Sequence, residues 1–465
     1  MVILFVLIAL AALAVVVAAN WYLWRRLFRD TTRGPGRARR AGAVLVAGGW
    51  VLAIGALVAE RTGAPFWLQQ VLAWPGFLWL ALSIYLLLAL LAGEVVRPLL
   101  RRVLERRAPT GLPAPRPERV PAGGPRETPA PRDEREAHDE RHAHDERRVH
   151  DGHGAHHGHD APESRDAGED RGARGAREEQ ESAKSPRLVA APSRRLFVSR
   201  VVGGAAAAAA VGTVGYGTYG VLRGPRVKRV TVPLAKLPRA AHGYRIAVVS
   251  DIHLGPVLGR GFAQKVVDTV NATQPDLIAV VGDLVDGSVK DLGPAAAPLA
   301  RLRARHGSFF VTGNHEYFSG AEQWVEEVRR LGLRPLENAR TELAHFDLAG
   351  VNDVAGESEG HGPDFTRALG DRDRARACVL LAHQPVQIHD AVEHGVDLQL
   401  SGHTHGGQLW PGSLIAEAAN PTVAGLERYG DTQLYVSRGA GAWGPPTRVG
   451  APSDITVIEL ASLQA

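Results

Sequence analysis

Three long apolar runs lie within the first hundred residues of the 465-residue chain, over about 2–24, 41–59 and 66–92. Each run reaches the length of roughly 17–25 residues that an α-helix needs to cross a bilayer. Lipid offers no partners for backbone N–H and C=O groups, so an isolated segment that crosses it must be helical. The sequence therefore predicts a transmembrane region of three helices over residues 1–107.

Arginine residues flank these runs unevenly and are concentrated in two segments. They are Arg25, Arg26, Arg29, Arg33, Arg37, Arg39 and Arg40 after the first run, and Arg97, Arg101, Arg102, Arg106 and Arg107 after the third. Cytoplasmic loops carry an excess of basic residues, which predicts the N-terminus and the turn at 60–64 outside and both arginine-rich segments inside. A cleaved signal peptide is the alternative for the first run, but a basic n-region is missing and two further runs follow.

Residues 108–192 contain almost no large apolar side chains and are rich in Pro, Arg, Glu, Asp and His. Such a segment cannot bury enough surface to offset the loss of chain entropy, so we predict a disordered linker. Eight histidines lie between His138 and His159. A weak metal-collecting tract is the alternative to a plain solvated linker.

A further membrane signal follows in the middle of the chain, over residues 193–224. Arg194 and Arg195 precede an apolar run rich in Gly and Ala over 198–222. This arrangement resembles a twin-arginine export signal, which makes the twin-arginine export machinery a candidate partner. An ordinary fourth transmembrane helix is the alternative. Both interpretations place the following domain on the outer face of the membrane, whereas a run that does not insert would leave it in the cytoplasm.

From residue 225 to 465 the pattern changes to alternating strands and helices. We predict strands at 245–249, 277–281, 309–311, 346–351, 378–381, 396–400 and 455–460, and helices at 261–271 and 321–331. This alternation indicates an α/β domain, in which functional residues follow the carboxyl ends of the strands. The chain has one cysteine, Cys378, which excludes an intrachain disulfide and is interpreted as a core residue.

Residues with metal-ligand chemistry follow five of these strands in order. They are Asp251 and His253, then Gly282 and Asp283, then Gly313-Asn314-His315-Glu316, then His383, and finally Gly402, His403 and His405. Residues at i and i+2 of an extended segment project to the same side, so the first and last motifs each present two ligands from one loop. One such motif alone would be a weak signal, but the ordered set predicts a metal site.

The ordered motifs resemble those of the calcineurin-like metallophosphoesterase family, over about residues 226–460, and of its membrane-associated YaeI/YkuE-like branch. The resemblance implies a four-layer α/β/β/α sandwich and two divalent metal ions. It also implies that one ion is held by Asp251, His253, Asp283 and His405, and the other by Asp283, Asn314, His383 and His403, with Asp283 bridging. His315 would act on the phosphoryl or leaving oxygens. Oxygen and imidazole ligands suit Mn, Fe, Zn or Mg, and Mn is favoured by analogy.

The predicted function is a membrane-anchored phosphoesterase of the bacterial inner or plasma membrane, acting on a phosphodiester or pyrophosphate of a lipid or envelope molecule. UDP-2,3-diacylglucosamine-type cleavage is one candidate, although it needs cytoplasmic access and conflicts with the predicted outer-face topology. The net charge is only +5 and its basic excess flanks the apolar runs, so no nucleic-acid partner is expected. The alternatives are an exported nucleotidase or nuclease and a catalytically idle membrane scaffold.

Overall fold

The computed structural model describes residues 2–106 and 193–464. The predicted linker, with its histidine tract, lies outside the described residues. The described residues belong to one compact unit, in which a helical region is followed by an α/β domain.

The helical region contains, among the described residues, four helices that are long and apolar enough to cross a membrane. They are α1 Val2–Trp24, α2 Arg37–Arg61, α3 Phe66–Arg106 and α4 Arg194–Leu222. The first helix continues as a π-helical turn over Arg25–Arg29. Large apolar side chains such as Val44 and Val51 of α2 point outward and are exposed, which is the surface that a bilayer-facing helix presents.

Small residues bring these helices close together. A Cβ added at Gly76 of α3 would lie 2.5 Å from the carbonyl oxygen of Leu52 in α2, and one at Gly93 would lie 2.7 Å from Cγ1 of Val202 in α4. Glycine is therefore required at both crossings, as is common where membrane helices pack. Helix α4, which covers the predicted further membrane signal, packs directly against α3.

The α/β domain is built on two six-stranded sheets with the orders β1-β12-β2-β3-β4-β5 and β10-β11-β9-β8-β7-β6. The strands are β1 Arg226–Leu234, β2 Tyr244–Val249, β3 Leu277–Val281, β4 Ser308–Val311, β5 Arg334–Pro335, β6 Ala339–Glu342, β7 Asp347–Gly350, β8 Cys378–Leu381, β9 Leu398–Ser401, β10 Gly425–Tyr429, β11 Thr432–Val436 and β12 Asp454–Ser462. Strands β2, β3 and β4 run parallel, as do β7, β8, β9 and β11. The carboxyl ends of the central strands in each sheet therefore meet at one edge.

Helices cover the outer face of each sheet. They are α5 Arg260–Ala272, α6 Val289–Ala296 and α8 Ala321–Arg330 on the first sheet, and α9 Phe365–Leu369 and α10 Ile388–Glu393 on the second. Two further helices are α7 Asn314–Ser319, which follows β4, and α11 Gly412–Ala419, in which no residue is buried. One apolar core lies between the sheets, a second lies under α5 and α8, and a third lies under α9 and α10. The layers are thus helix, sheet, sheet and helix, which confirms the predicted α/β/β/α architecture.

The helical region and the α/β domain share apolar contacts. Val221 of α4 is fully buried in the core under α5, and Phe66 at the start of α3 packs against the same core. The hydroxyl groups of Thr218 and Thr447 are 2.7 Å apart. The domain is therefore packed against α3 and α4 rather than joined to them by a free linker.

Candidate metal centre

The predicted ligands converge where the central strands end. Asp251 and His253 follow β2, Asp283 follows β3, His383 follows β8, and His403 with His405 follows β9, while Asn314 and His315 begin α7 after β4. The structure brings all eight predicted site residues into one cluster that spans both sheets.

Five of the eight residues hold a left-handed backbone conformation. Their φ angles are 51° for Asp251, 49° for His253, 52° for Asp283, 73° for His403 and 52° for His405. Each non-glycine residue in this region costs roughly 1–2 kcal/mol. Such strain is retained where the surrounding fold fixes the conformation, and it clusters at functional sites.

One group of side chains at this site consists of Asp251, His253 and His405, whose ligand atoms all lie within 4.8 Å of one another. Nε2 of His253 is 2.9 Å from Nε2 of His405, and Nε2 of His405 is 3.5 Å from Oδ1 of Asp251. Two imidazole nitrogens and a carboxylate oxygen are a donor set that suits a divalent transition metal.

A second group consists of Asp283, His383 and His403, again within 4.8 Å of one another. Nε2 of His383 is 3.2 Å from Oδ2 of Asp283. Asn314 adds its side-chain oxygen, which lies 3.0 Å from Nδ1 of His403.

The carboxylate of Asp283 lies between the two groups. Its Oδ2 atom is 3.2 Å from His383 of the second group and 3.7 Å from His253 of the first. Burial opposes ionisation of this carboxyl, but the imidazoles of His383, His253 and His315 together outweigh burial and hold the pKa of Asp283 well below its usual range. A single ionised oxygen therefore faces ligands from both groups.

Two buried polar atoms at the site have no hydrogen-bond partner among the described residues, Oδ2 of Asp251 and Nε2 of His383. Nδ1 of His383 lies 2.9 Å from the carbonyl oxygen of Val281, which can only accept a hydrogen bond. In the neutral ring that would bind a metal ion, Nδ1 therefore carries the proton and Nε2 keeps its lone pair. Two buried ligand atoms without hydrogen-bond partners fit a metal ion. A histidine that binds a metal through one ring nitrogen commonly donates the N–H of its other nitrogen to a carbonyl oxygen, as His383 does.

Asp286 was missed by the sequence analysis. Its Oδ1 atom is 2.7 Å from Nδ1 of His253 and 2.8 Å from Nδ1 of His315. Burial alone would lower the pKa of His315, but the hydrogen bond and charge of Asp286 outweigh it and raise the pKa of His315 to about 9. The sequence feature that could have indicated Asp286 is its position three residues after Asp283, on the same loop.

Glu316, the last residue of the third motif, is a scaffold for the site. Its buried carboxylate accepts backbone N–H bonds from Asp283 at 2.9 Å, Leu284 at 2.7 Å and Gly313 at 2.6 Å. The loop that carries Asp283 and the start of α7 are thereby joined through one side chain. Burial raises the pKa of Glu316 to about 7 despite these donors.

Arg448 is buried beside His405 and does not reach toward solvent. Its guanidinium donates to the carbonyl oxygens of Gly441 at 2.6 Å and His405 at 3.0 Å, and its Nη2 lies 3.0 Å from Nδ1 of His405. Burial lowers the pKa of Arg448 to about 10. A guanidinium can only donate hydrogen bonds, so Nδ1 of His405 accepts one and Nε2 carries the proton of the neutral ring. Coordination of a metal ion through Nε2 of His405 would therefore require Arg448 to release Nδ1.

Two exposed aromatic side chains pack against His315. The rings of Phe318 and Trp443 meet the imidazole edge to face, at centroid distances of 5.7 Å and 5.6 Å. The guanidinium of Arg61, at the end of α2, lies 5.1 Å from the Phe318 ring centroid. The His315 side of the cluster thus lies beside the turn between α2 and α3.

The family model described as calcineurin-like phosphoesterase matches residues 244–407. A zebrafish (Danio rerio) transmembrane protein with metallophosphoesterase domain is 38% identical over 259 residues, covering 53% of this chain and 59% of that protein. The chain therefore spans only part of that relative.

Two shorter relatives are matched over nearly their full length. An uncharacterised metallophosphoesterase of Aquifex aeolicus is 35% identical over 240 residues, covering 50% of this chain and 91% of that protein. The uncharacterised metallophosphoesterase YkuE of Bacillus subtilis is 30% identical over 284 residues, covering 58% of this chain and 98% of that protein. Together with the strand-end cluster, these similarities show that the chain belongs to the calcineurin-like metallophosphoesterase family.

Proposed function

We propose that this chain is a metal-dependent phosphoesterase that hydrolyses phosphodiester or pyrophosphate bonds. The observation that carries the proposal is the position of Asp283, whose Oδ2 atom faces His253 of one ligand group and His383 of the other. A carboxylate in this position could be shared by two cations a few ångströms apart, the arrangement that two-metal hydrolytic sites use.

The two metal ions would be held by the residues that the sequence motifs predict. Asp251, His253, Asp283 and His405 would bind one ion, and Asp283, Asn314, His383 and His403 the other. Bound cations would supply charge stabilisation of the phosphoryl oxygens and a nucleophilic water at neutral pH. The donor atoms are nitrogen and oxygen, and Mn is the first metal to test among Mn, Fe, Zn and Mg.

His315 would supply the proton for the leaving oxygen. Nδ1 of its ring is directed to Asp286, 2.8 Å away, which leaves Nε2 for the substrate. The carboxylate fixes the ring orientation and favours the protonated form, whose pKa lies at about 9. A protonated Nε2 at neutral pH is what a general acid requires.

The four apolar helices would anchor the enzyme in a membrane, with the α/β domain on the outer face. This proposal is supported by the basic residues at the opposite end of the bundle, where the guanidinium of Arg200 in α4 donates to the carbonyl oxygen of Thr31 at 3.0 Å. Such an anchor would suit a lipid or envelope substrate and export by the twin-arginine machinery. A reporter fused after Ala465 that is active only in the cytoplasm would contradict this orientation.

The test of activity uses the full chain purified in detergent with bis-p-nitrophenyl phosphate and each of the four metals. We expect metal-dependent turnover that Asp283→Ala abolishes and His315→Ala reduces strongly while metal remains bound. Asp431→Ala, in the exposed turn between β10 and β11, is the matched control and should retain full turnover. Turnover that is absent with every metal, or unchanged by Asp283→Ala, would overturn the proposal.

A further inference from the structure

The segment that follows the last ligand motif, residues 409–419, presents an apolar surface. It contains α11, in which every residue is at least partly exposed. Leu414 is 63% exposed, Ile415 is 76% exposed and Trp410 is 54% exposed. Glu417 is the one charged residue in residues 409–419. An exposed apolar helix of this kind needs a partner in a stable protein.

The 409–419 segment lies against the side of the helical region. The hydroxyl of Tyr85 donates to the carbonyl oxygen of Trp410 at 2.9 Å. Leu409 packs against the cluster that contains Tyr85, Leu86 and Val214. Because Tyr85 lies in the middle of α3, the segment meets the wall of the helix bundle and not its end.

The depth of the contact between Tyr85 and Trp410 within a bilayer can be measured from a charged cluster farther along α3. Glu94 pairs with Arg26 at 2.8 Å and with Arg97 at 3.3 Å, which marks a polar end of the bundle. Tyr85 and Arg97 are twelve residues apart, which is about 18 Å along a helix. A hydrocarbon layer of about 30 Å that begins at the charged cluster therefore extends past Tyr85.

We propose that residues 409–419 insert into the outer leaflet of the bilayer beside α3. The partner is the bilayer itself, because the segment lies at the level of the hydrocarbon and presents Leu414, Ile415 and Trp410 to it. An amphipathic helix with tryptophan next to it is suited to the boundary between acyl chains and head groups. The inserted segment is an additional membrane contact beside the four long helices.

Insertion would hold the metal centre at the membrane surface. The segment begins directly after Gln408. The side-chain amide of Gln408 donates a hydrogen bond to the carbonyl oxygen of Trp443 at 2.8 Å and accepts one from the backbone N–H of Trp443 at 3.0 Å. Trp443 in turn contacts the ring of His315. A phosphoester whose apolar part stays in the bilayer would meet His315 there. This consequence rests on the proposed phosphoesterase function, whereas insertion itself rests only on the membrane-spanning helices.

The test measures the depth of labelled cysteines in the full chain reconstituted in phosphatidylcholine vesicles. Ile415→Cys and, separately, Leu414→Cys carry an environment-sensitive fluorophore, and quenching by nitroxide-labelled acyl chains is compared with quenching by aqueous iodide. Val51→Cys on the exposed face of α2 reports on a spanning helix, and Asp431→Cys reports on the aqueous side. Wild type, whose one cysteine is buried, gives the fluorescence that comes from labelling outside the introduced cysteines.

We expect both α11 labels to show blue-shifted emission and several-fold stronger acyl-chain quenching than the label at Asp431→Cys, with weak iodide quenching. Acyl-chain quenching at Val51→Cys but iodide quenching at both α11 positions would overturn the insertion while leaving the membrane anchor intact. Iodide quenching at all positions, Val51→Cys included, would contradict the anchor as well. Turnover of bis-p-nitrophenyl phosphate is measured separately, so loss of activity is distinguishable from either outcome.

Discussion

Nδ1 of His315 lies 2.8 Å from Oδ1 of Asp286, and the same oxygen lies 2.7 Å from Nδ1 of His253. One buried carboxylate thus orients both a candidate metal ligand and the candidate general acid. Neither partner is close to Asp286 in the sequence. This contact connects the loop after β3 with the loops after β2 and β4, and it makes Asp286 the first residue to test beyond the predicted ligands.

Asp286→Asn should lower kcat about 10–100-fold, the usual cost of removing a residue that orients a metal ligand or an acid. The amide oxygen carries no charge, so it accepts more weakly from the two imidazoles and no longer favours the protonated form of His315. Turnover and bound metal per chain are measured together on the full-length variant. Asp291→Asn, five residues further along in α6, is the control and should behave as wild type. An Asp286→Asn variant with unchanged kcat would show that the carboxylate has no part in the reaction.

Gly282→Ala should destabilise the domain and weaken metal binding. Gly282 has a φ of 73°, and an added Cβ would lie 2.5 Å from Nδ1 of His383. The left-handed conformation and the overlap together cost about 3 kcal/mol of the free energy of unfolding. Thermal unfolding and metal content are the measurements.

The matched control for that substitution is Gly430→Ala. Gly430 also has a positive φ, 57°, but its nearest neighbour, Cγ1 of Val392, would lie 3.7 Å from the new Cβ. Only the backbone penalty of roughly 1 kcal/mol is expected there, with no loss of metal. Equal effects at the two glycines would show that crowding against His383 is unimportant.

Arg448→Lys should reduce both stability and turnover although the charge is kept. The lysine cannot reproduce the fork that donates to the carbonyl oxygens of Gly441 and His405. A buried carbonyl left without its donor costs about 1–3 kcal/mol. Thermal unfolding, kcat and KM are compared with those of Arg428→Lys, an exposed position in β10. If the two lysine variants were indistinguishable, Arg448 would have no role in positioning His405.

The thiol of Cys378 should be unreactive in the folded protein at pH 8. Burial raises the pKa of Cys378 to about 12. The folded-state pKa lies above that of the unfolded chain, so this contribution to stability is complete below about pH 9 and is lost as the pH rises toward 12. A thiol reagent should modify Cys378 only after denaturation, while Asp431→Cys, at an exposed position, provides a rapidly reacting control. Rapid modification of native wild type at pH 8 would contradict the buried position.

Some of the strands that the sequence predicts, such as 277–281 and 378–381, are continuous apolar runs. Strand β3 falls over Leu277–Val281 as expected, because an uninterrupted apolar run can only be buried on both faces. Strand β11 was not predicted, since its buried polar side chains find partners far away in the chain. Gln433 donates to the carbonyl oxygen of Pro233 at 2.6 Å, and the hydroxyl groups of Tyr435 and Thr456 are 2.7 Å apart.

The sequence alone determined the apolar helices, the alternation of strands and helices, and the residues with ligand chemistry, because periodicity and motif order are properties of neighbours along the chain. The tertiary structure decided what joins them: the contact of Asp286 with His315, the burial of Arg448 beside His405, and the contact of Tyr85 with Trp410. The last pair is 325 residues apart. Such contacts depend on how helices and sheets pack in space, and no local pattern encodes that packing.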